Sequence, residues 1–234
     1  MVVSYERTVE VRIWFSLMKA LLKGGGGEIL TTRNSVSFYF TNYRIAVSSI
    51  VGVIMNGSEI FVSVDIETSG PIPGLFSLLS IGACLVHAPE VRFYAELKPD
   101  CTGFDPEALA VTGFNLQALA TTGIAPADAM FQLSTWLTSH LEPSQKPVFT
   151  GLNAPFDWSF INYYFHKYTG NNPFGFSALD IKAYFMGATG CTWSETKSSM
   201  MTQRLSAKGR PSHNALDDAL FQAELFALMR LKEP

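Results

Sequence analysis

The sequence predicts an α/β domain with a mixed sheet covered by helices, and three observations carry that reading. Apolar runs at residues 60–66, 78–86 and 91–97 have the length and composition of buried strands, with turn-like Gly and Pro between them. Further along, segments with a helical recurrence of apolar residues flank one more short strand run. Strands first, then helix–strand–helix, is the order expected when helices cover a mixed sheet.

The elements follow in order. The short connection at 87–90 makes the second and third strands a hairpin. Residues 106–111 and 126–141 read as helices; in the latter, Ala129, Leu133, Trp136, Leu137 and His140 recur at helical spacing. Residues 147–152 are a fourth strand and 156–168 a helix, whose Tyr163, Tyr164 and Phe165 read as core. The last element, 215–231, is expected to be amphipathic, with Leu216, Leu220, Ala223 and Ala227 on one face. No internal repeat is visible.

Charge divides the chain of 234 residues in two. Residues 1–54 carry six Lys and Arg against three acids, and the remainder eleven against seventeen. The first part has the run Gly24, Gly25, Gly26 and Gly27, which behaves as a flexible joint. Its pieces at 9–22 and 36–54 show no sustained period. We expect a poorly ordered or accessory extension over 1–54, with a true start at Met55 as one reading, and a catalytic domain over 55–234.

The bulk numbers exclude little. A hydrophobic share of 47% supports a sizeable core, and a net charge of −3 means that binding a polyanion needs a local basic patch or bound cations. Cys84, Cys101 and Cys191 are far apart, without CxxC spacing, and imply a reducing, cytoplasmic setting. Glu6 and Glu10 interrupt what would be the basic start of a signal peptide. The apolar stretch 45–54 is about half the roughly 20 residues a membrane span needs. A soluble protein with no membrane partner is expected.

Three acidic clusters carry the chemistry. Asp65-Ile66-Glu67-Thr68 ends the first strand, and strand periodicity points Asp65 and Glu67 to one face and Ile66 to the other. Adjacent carboxylates raise each other's pKa unless a cation sits between them, and such hard oxygens suit Mg²⁺ or Mn²⁺. Asp157 lies beyond the fourth strand, just after Pro155, in the first turn of a helix. His213 precedes the last helix, and Asp217 and Asp218 lie in its first turns. Each cluster alone has a structural explanation, since acids at helix starts favour the dipole.

Taken together, the three clusters resemble the DEDDh exonuclease family, the group with the proofreading subunit of bacterial DNA polymerase III, ribonuclease T and oligoribonuclease. The resemblance rests on Asp65-Ile66-Glu67-Thr68, on the segment from Asn153 to Asp157, and on the His-x4-Asp pattern from His213 to Asp218, and it spans about residues 59–231. It implies a ribonuclease H-like fold, a five-stranded mixed sheet flanked by helices. It assigns metal-ligand roles to Asp65, Glu67, Asp157 and Asp218, and the general-base role to His213. Spacing selects Asp218 over Asp217.

The chemistry so implied is hydrolysis of phosphodiesters from a free 3′ end of single-stranded DNA or RNA, assisted by two divalent cations, Mg²⁺ or Mn²⁺. The products are nucleoside 5′-monophosphates. An unperturbed imidazole titrates near pH 6.5 and suits proton transfer at neutral pH. The loop Ala207-Lys208-Gly209-Arg210 would let His213 move. Lys197, Arg204, Lys208 and Arg210, with no acid among them, form a patch able to steer a phosphate backbone. Lys208 and Arg210, with Thr68, Ser69 and Gly70 near the terminal nucleotide, are candidate substrate contacts, and so is Phe156, although its core reading is stronger. Pro71 and Pro73 depart from the family pattern, where a flexible apolar residue packs on the terminal base; Leu75 or Phe76 could take that place. A homodimer is compatible with this reading. The alternatives are a non-catalytic nucleic-acid-binding or scaffold protein that retains the fold, which should have lost part of the set, and an endonuclease with a ribonuclease H site, against which the His-x4-Asp pattern argues.

Overall fold

The computed structural model describes residues 27–32, 35–40, 43–45 and 59–231. The chain forms two compact units, residues 1–57 and 58–234. In the first, β1 (Gly27–Thr32), β2 (Ser35–Phe40) and β3 (Tyr43–Ile45) make an antiparallel meander in that order. The sequence pattern gave no regular element here. Val36, Phe38 and Phe40 do alternate with Ser35, Ser37 and Tyr39, but over one short strand only. Residues 9–22, most of the glycine run and Met55 lie outside the described residues.

The second unit is the expected five-stranded mixed sheet flanked by helices. Its strands are β4 (Glu59–Thr68), β5 (Leu78–Leu85), β6 (Ala88–Glu96), β7 (Lys146–Gly151) and β8 (Ala178–Asp180), in the order β6-β5-β4-β7-β8. The β4–β5 and β5–β6 pairs are antiparallel, and β4–β7 and β7–β8 are parallel. The helices are α1 (Pro106–Thr112), α2 (Leu116–Thr122), α3 (Pro126–Ser139), α4 (Ala154–Thr169), α5 (Ile181–Thr189), α6 (Ser198–Leu205) and α7 (Ala215–Arg230). The sequence reading missed α2, β8, α5 and α6, which are too short to show a period. No described helix is long and apolar enough to cross a membrane.

The alternation in β4 separates two faces. Val62, Val64 and Ile66 pack with Met130 and Leu133 of α3 and with Phe160, Ile161, Tyr164 and Phe165 of α4. Each large side chain buried this fully stabilises the fold by roughly 1.5–3 kcal/mol. Ser63, on the other face, donates its hydroxyl to the carbonyl of Ala219 in α7 at 2.7 Å. Beyond α7 lies a second core, with Ile181 and Phe185 of α5, Met201 and Leu205 of α6, and Phe221, Leu225, Phe226 and Met229 of α7.

This corrects the reading of the last helix. Of the four residues expected on the inner face Ala223 is buried, but Leu216, Leu220 and Ala227 are only half-buried, whereas Ala215, Asp218, Ala219, Gln222, Phe226 and Met229 are buried. The helix is covered by the sheet on one side and by α5 and α6 on another. Two of its buried residues are polar, so no single apolar stripe marks the inner face.

Gly82 permits the close approach of α7. A Cβ at this position would lie 2.1 Å from the carbonyl oxygen of Ala215, so the first turn of α7 rests directly on β5. Gly82 is the register partner of Asp65, and this contact therefore brings the start of α7 down beside the acidic end of β4.

Candidate active site

Asp65 and Glu67 end β4 on the α7 side, as the strand period requires. A register shift between Glu67 and Thr68 ends the regular ladder there, a place where bulges often re-aim side chains. Ser80, across the ladder from Glu67, has a buried hydroxyl with no hydrogen-bond partner among the described residues.

Asp157 arrives from the neighbouring parallel strand. Register between β4 and β7 runs only to Ser63 and Thr150, so the backbone N–H of Ile66 is left beyond the end of the ladder. Asp157 Oδ1, in the first turn of α4, accepts that N–H at 3.2 Å. The turn before α4 is built around Asn153, whose φ of 71° is left-handed. Asp180, at the end of β8, secures it: Oδ2 accepts from Ala154 N at 2.7 Å, while Oδ1 caps α5 through Ala183 N at 2.7 Å.

Asp218 and His213 form the third part. Asp218 Oδ1 accepts from Ser212 N at 2.6 Å, and Oδ2 accepts from His213 N at 3.1 Å. Asn214 caps α7, taking the N–H groups of Leu216 and Asp217. Asp218 is 9% exposed, whereas Asp217 points outward. His213 is exposed, with a left-handed φ of 59° that its neighbours must hold. Its loop is pinned again upstream, where Glu224 accepts from Lys208 N and Gly209 N at 2.9 Å each. The mobility expected of this segment is thus limited at two points.

These pieces converge. Ligand-type atoms of Glu67, His213 and Asp218 all lie within 4.8 Å of one another. Burial, followed by the charges of Asp157, Asp218 and Glu67, holds the Asp65 carboxyl well above the ordinary carboxylate range. Burial and Asp218 raise Glu67 to about 7. Burial above all, with Glu67 and Asp180 adding, raises Asp157 to about 8, against backbone hydrogen bonds that oppose it. No Lys or Arg among the described residues forms a salt bridge with any of the four acids. A cluster of sunken carboxylates without a protein countercharge fits divalent cations.

The other predicted contacts fare differently. Thr68 and Ser69 are buried and spend their hydroxyls inside the loop, Thr68 on Gly70 O at 2.8 Å and Ser69 on Gly103 O at 2.9 Å. The Phe76 ring covers Gly70, leaving no room for a Cβ, while Leu75 is 62% exposed. Phe156 is half-buried and packs on Phe160. Lys208 and Arg210 are exposed.

Sequence reasoning missed Asp180 and Gln222. Gln222 is buried, accepts from Leu152 N at 2.8 Å through Oε1, and donates through Nε2 to Asp65 Oδ1. Its signal was present, one turn after Asp218 on the same helix face.

Solved structures share the fold. The nuclease domain of 3'hExo, a DEDDh family member bound to rAMP, matches with a TM-score of 0.60 at 16% identity, over 74% of this chain and 92% of that one. E. coli Exonuclease I in complex with a dA16 oligonucleotide matches with a TM-score of 0.58 at 20% identity, over 75% of this chain and 41% of that one. This chain has the fold of these nucleases, with the acids and the histidine gathered at the end of its sheet. Residues 60–229 match the 3'-5' exoribonuclease Rv2179c-like domain. The chain is also 50% identical over 171 residues to the 3'-5' DNA exonuclease Cap18 of Escherichia coli, covering 73% of this chain and 91% of that protein. The chain therefore belongs to the Rv2179c-like 3′-5′ exoribonuclease domain family.

Proposed function

We propose that this exonuclease is metal-dependent and shortens single-stranded DNA or RNA from a free 3′ end, releasing nucleoside 5′-monophosphates. The observation that carries the proposal is the convergence of Glu67, His213 and Asp218 within 4.8 Å, with the buried Asp157 and the half-buried Asp65 completing the set of carboxylates. Asp65, Glu67, Asp157 and Asp218 would hold two divalent cations, Mg²⁺ or Mn²⁺. Bound there, the cations supply activation of water and neutralisation of the attacking and leaving oxygens.

The protein's own share is proton transfer and positioning. His213, the exposed member of the set, accepts the proton of the attacking water at a ring nitrogen. The water oxygen joins phosphorus, the P–O3′ bond breaks, and the departing O3′ takes a proton from solvent, so the shortened strand keeps a 3′-hydroxyl. Asp218 holds the His213 backbone in place. Lys208 and Arg210 face the phosphate backbone from the neighbouring loop. Backbone groups at Thr68, Ser69 and Gly70 border the terminal nucleotide, and the exposed Leu75 packs on its base. Phe156 keeps its place against Phe160 and contributes little to binding.

The half-identical relative is named as a DNA exonuclease and the family as an exoribonuclease, so both polymers are substrates to test, DNA first. Residues 55–234 are the catalytic domain in this reading, and residues 1–54 an accessory extension. Purified protein with Mg²⁺ or Mn²⁺ should shorten 5′-labelled single strands stepwise, and EDTA or Asp65→Ala should stop it. DNA, RNA and a dinucleotide assayed in parallel identify the substrate, and no metal-dependent shortening of any of them would overturn the proposal. A protein starting at Met55 should keep the activity; its loss would give the extension a catalytic part.

A further inference from the structure

We propose that Gln222 is a positioning residue for Asp65, fixing the direction in which that carboxylate presents its free oxygen to the metal site. The inference rests on the metal-dependent reading above. It starts from the two ends of one amide. Leu152 N–H, just past the end of β7, donates to Gln222 Oε1 at 2.8 Å. An N–H can only donate, so this contact decides which end of the amide is the oxygen and turns Nε2 toward Asp65. The amide nitrogen in turn can only donate, so Asp65 Oδ1 is held as an acceptor. Oδ2 makes no hydrogen bond to the protein among the described residues and is left for a cation.

The clamp is well supported from behind. Gln222 is 3% exposed, and one turn earlier the Ala219 carbonyl accepts from Ser63 Oγ and Cys84 Sγ. A buried amide with both ends committed has little freedom, so the angle of Asp65 is set before any ion arrives. Partners that orient metal-binding groups typically matter about 10- to 100-fold for affinity or activity. A purely structural role would instead tie α7 to β7 and leave the ion indifferent to the amide.

The two roles separate experimentally. Gln222→Met keeps the volume and loses both hydrogen bonds. Gln222→Asn keeps an amide one methylene too short to span both partners. Ser63→Ala is the control, removing a neighbouring bond between the same helix and strand without touching Asp65. Mn²⁺ binding is read by calorimetry on the metal-free full chain, and kcat and KM on a 5′-labelled strand are read at saturating Mn²⁺. Melting curves establish which variants fold. We expect either folded Gln222 variant to bind Mn²⁺ about 10- to 100-fold more weakly, with a lower kcat, a nearly constant KM and partial recovery at high Mn²⁺. Ser63→Ala should lower the melting temperature and leave Mn²⁺ affinity alone. Wild-type Mn²⁺ affinity and kcat in a folded Gln222 variant would overturn the proposal, as would an equal loss of affinity in Ser63→Ala. A wild-type protein that binds Mn²⁺ but degrades no strand would instead count against the functional reading.

Discussion

Asp218 holds His213 by its backbone: Oδ2 accepts the His213 N–H at 3.1 Å, and Oδ1 takes the N–H of Ser212 at 2.6 Å. One carboxylate thus steadies the residue assigned to proton transfer and is itself one of the proposed metal ligands. His213 is exposed, with a left-handed backbone that this grip maintains.

His213→Ala should therefore lower kcat by about 10²- to 10⁴-fold, the usual worth of a general base, with little change in KM or melting temperature. Asp217→Asn, one residue from Asp218 but pointing outward, should keep kcat within about twofold, since surface acids at helix starts contribute only ~0.3–1 kcal/mol. Steady-state kinetics on a labelled strand checks both. Equal losses at Asp217 and Asp218 would contradict the assignment.

The acids make a second prediction, about pH. Glu67 is raised to about 7 and Asp157 to about 8, and Asp65 is raised as well, all from ordinary values near 4. Folding then takes up protons between those limits. The associated stability is fully present below the ordinary carboxylate range and is lost as pH rises through about 7 and about 8. In EDTA the melting temperature should fall from pH 5 to pH 9, and Asp157→Asn should flatten that slope. Mg²⁺ or Mn²⁺ should raise the melting temperature more at pH 8 than at pH 5. A metal-free melting temperature that climbs over this range would refute the electrostatic account.

Gly82→Ala tests the seating of α7. The added Cβ would lie 2.1 Å from the Ala215 carbonyl oxygen, a backbone atom that cannot swing aside. Stability should drop by about 1–3 kcal/mol, as for overpacked cores. Activity should drop further, because the displaced turn carries His213 and Asp218 and misplacement by ~1 Å can cost about 10²-fold. Gly113→Ala is the contrast: its φ of 72° brings strain, but nothing lies within 4 Å of the new Cβ, so kcat should hold.

Asp180→Ala separates a cap from a brace. Losing the α5 cap should cost roughly 0.5–2 kcal/mol. Losing the bond to Ala154 N should also loosen the turn that presents Asp157, lowering kcat by about 10-fold or more, as for other supports of metal-binding groups. An unchanged kcat in a folded variant would reduce Asp180 to a cap.

Much of this could be read along the chain. The strand period put Asp65 and Glu67 on one face, and the order of apolar runs foretold a mixed sheet under helices, because both depend on neighbours in sequence. The short elements β8, α5 and α6 were not legible, since three to nine residues carry too little pattern. The inner face of α7 was misread for another reason. Burial on two sides, with Asp218 and Gln222 turned inward, leaves an apolar count uninformative.

The sequence by itself thus determined the class of fold and the types of chemical group at the site, from local periodicity and the spacing of a few acids. Only the tertiary structure decided how those groups are held. The Ile66 N–H met by Asp157, the Asp180 brace on Ala154 and the Gln222 clamp between Leu152 and Asp65 join residues 26 to 157 positions apart. Hydrogen-bond geometry at such separations is set by how the sheet and helices pack, which no local pattern encodes.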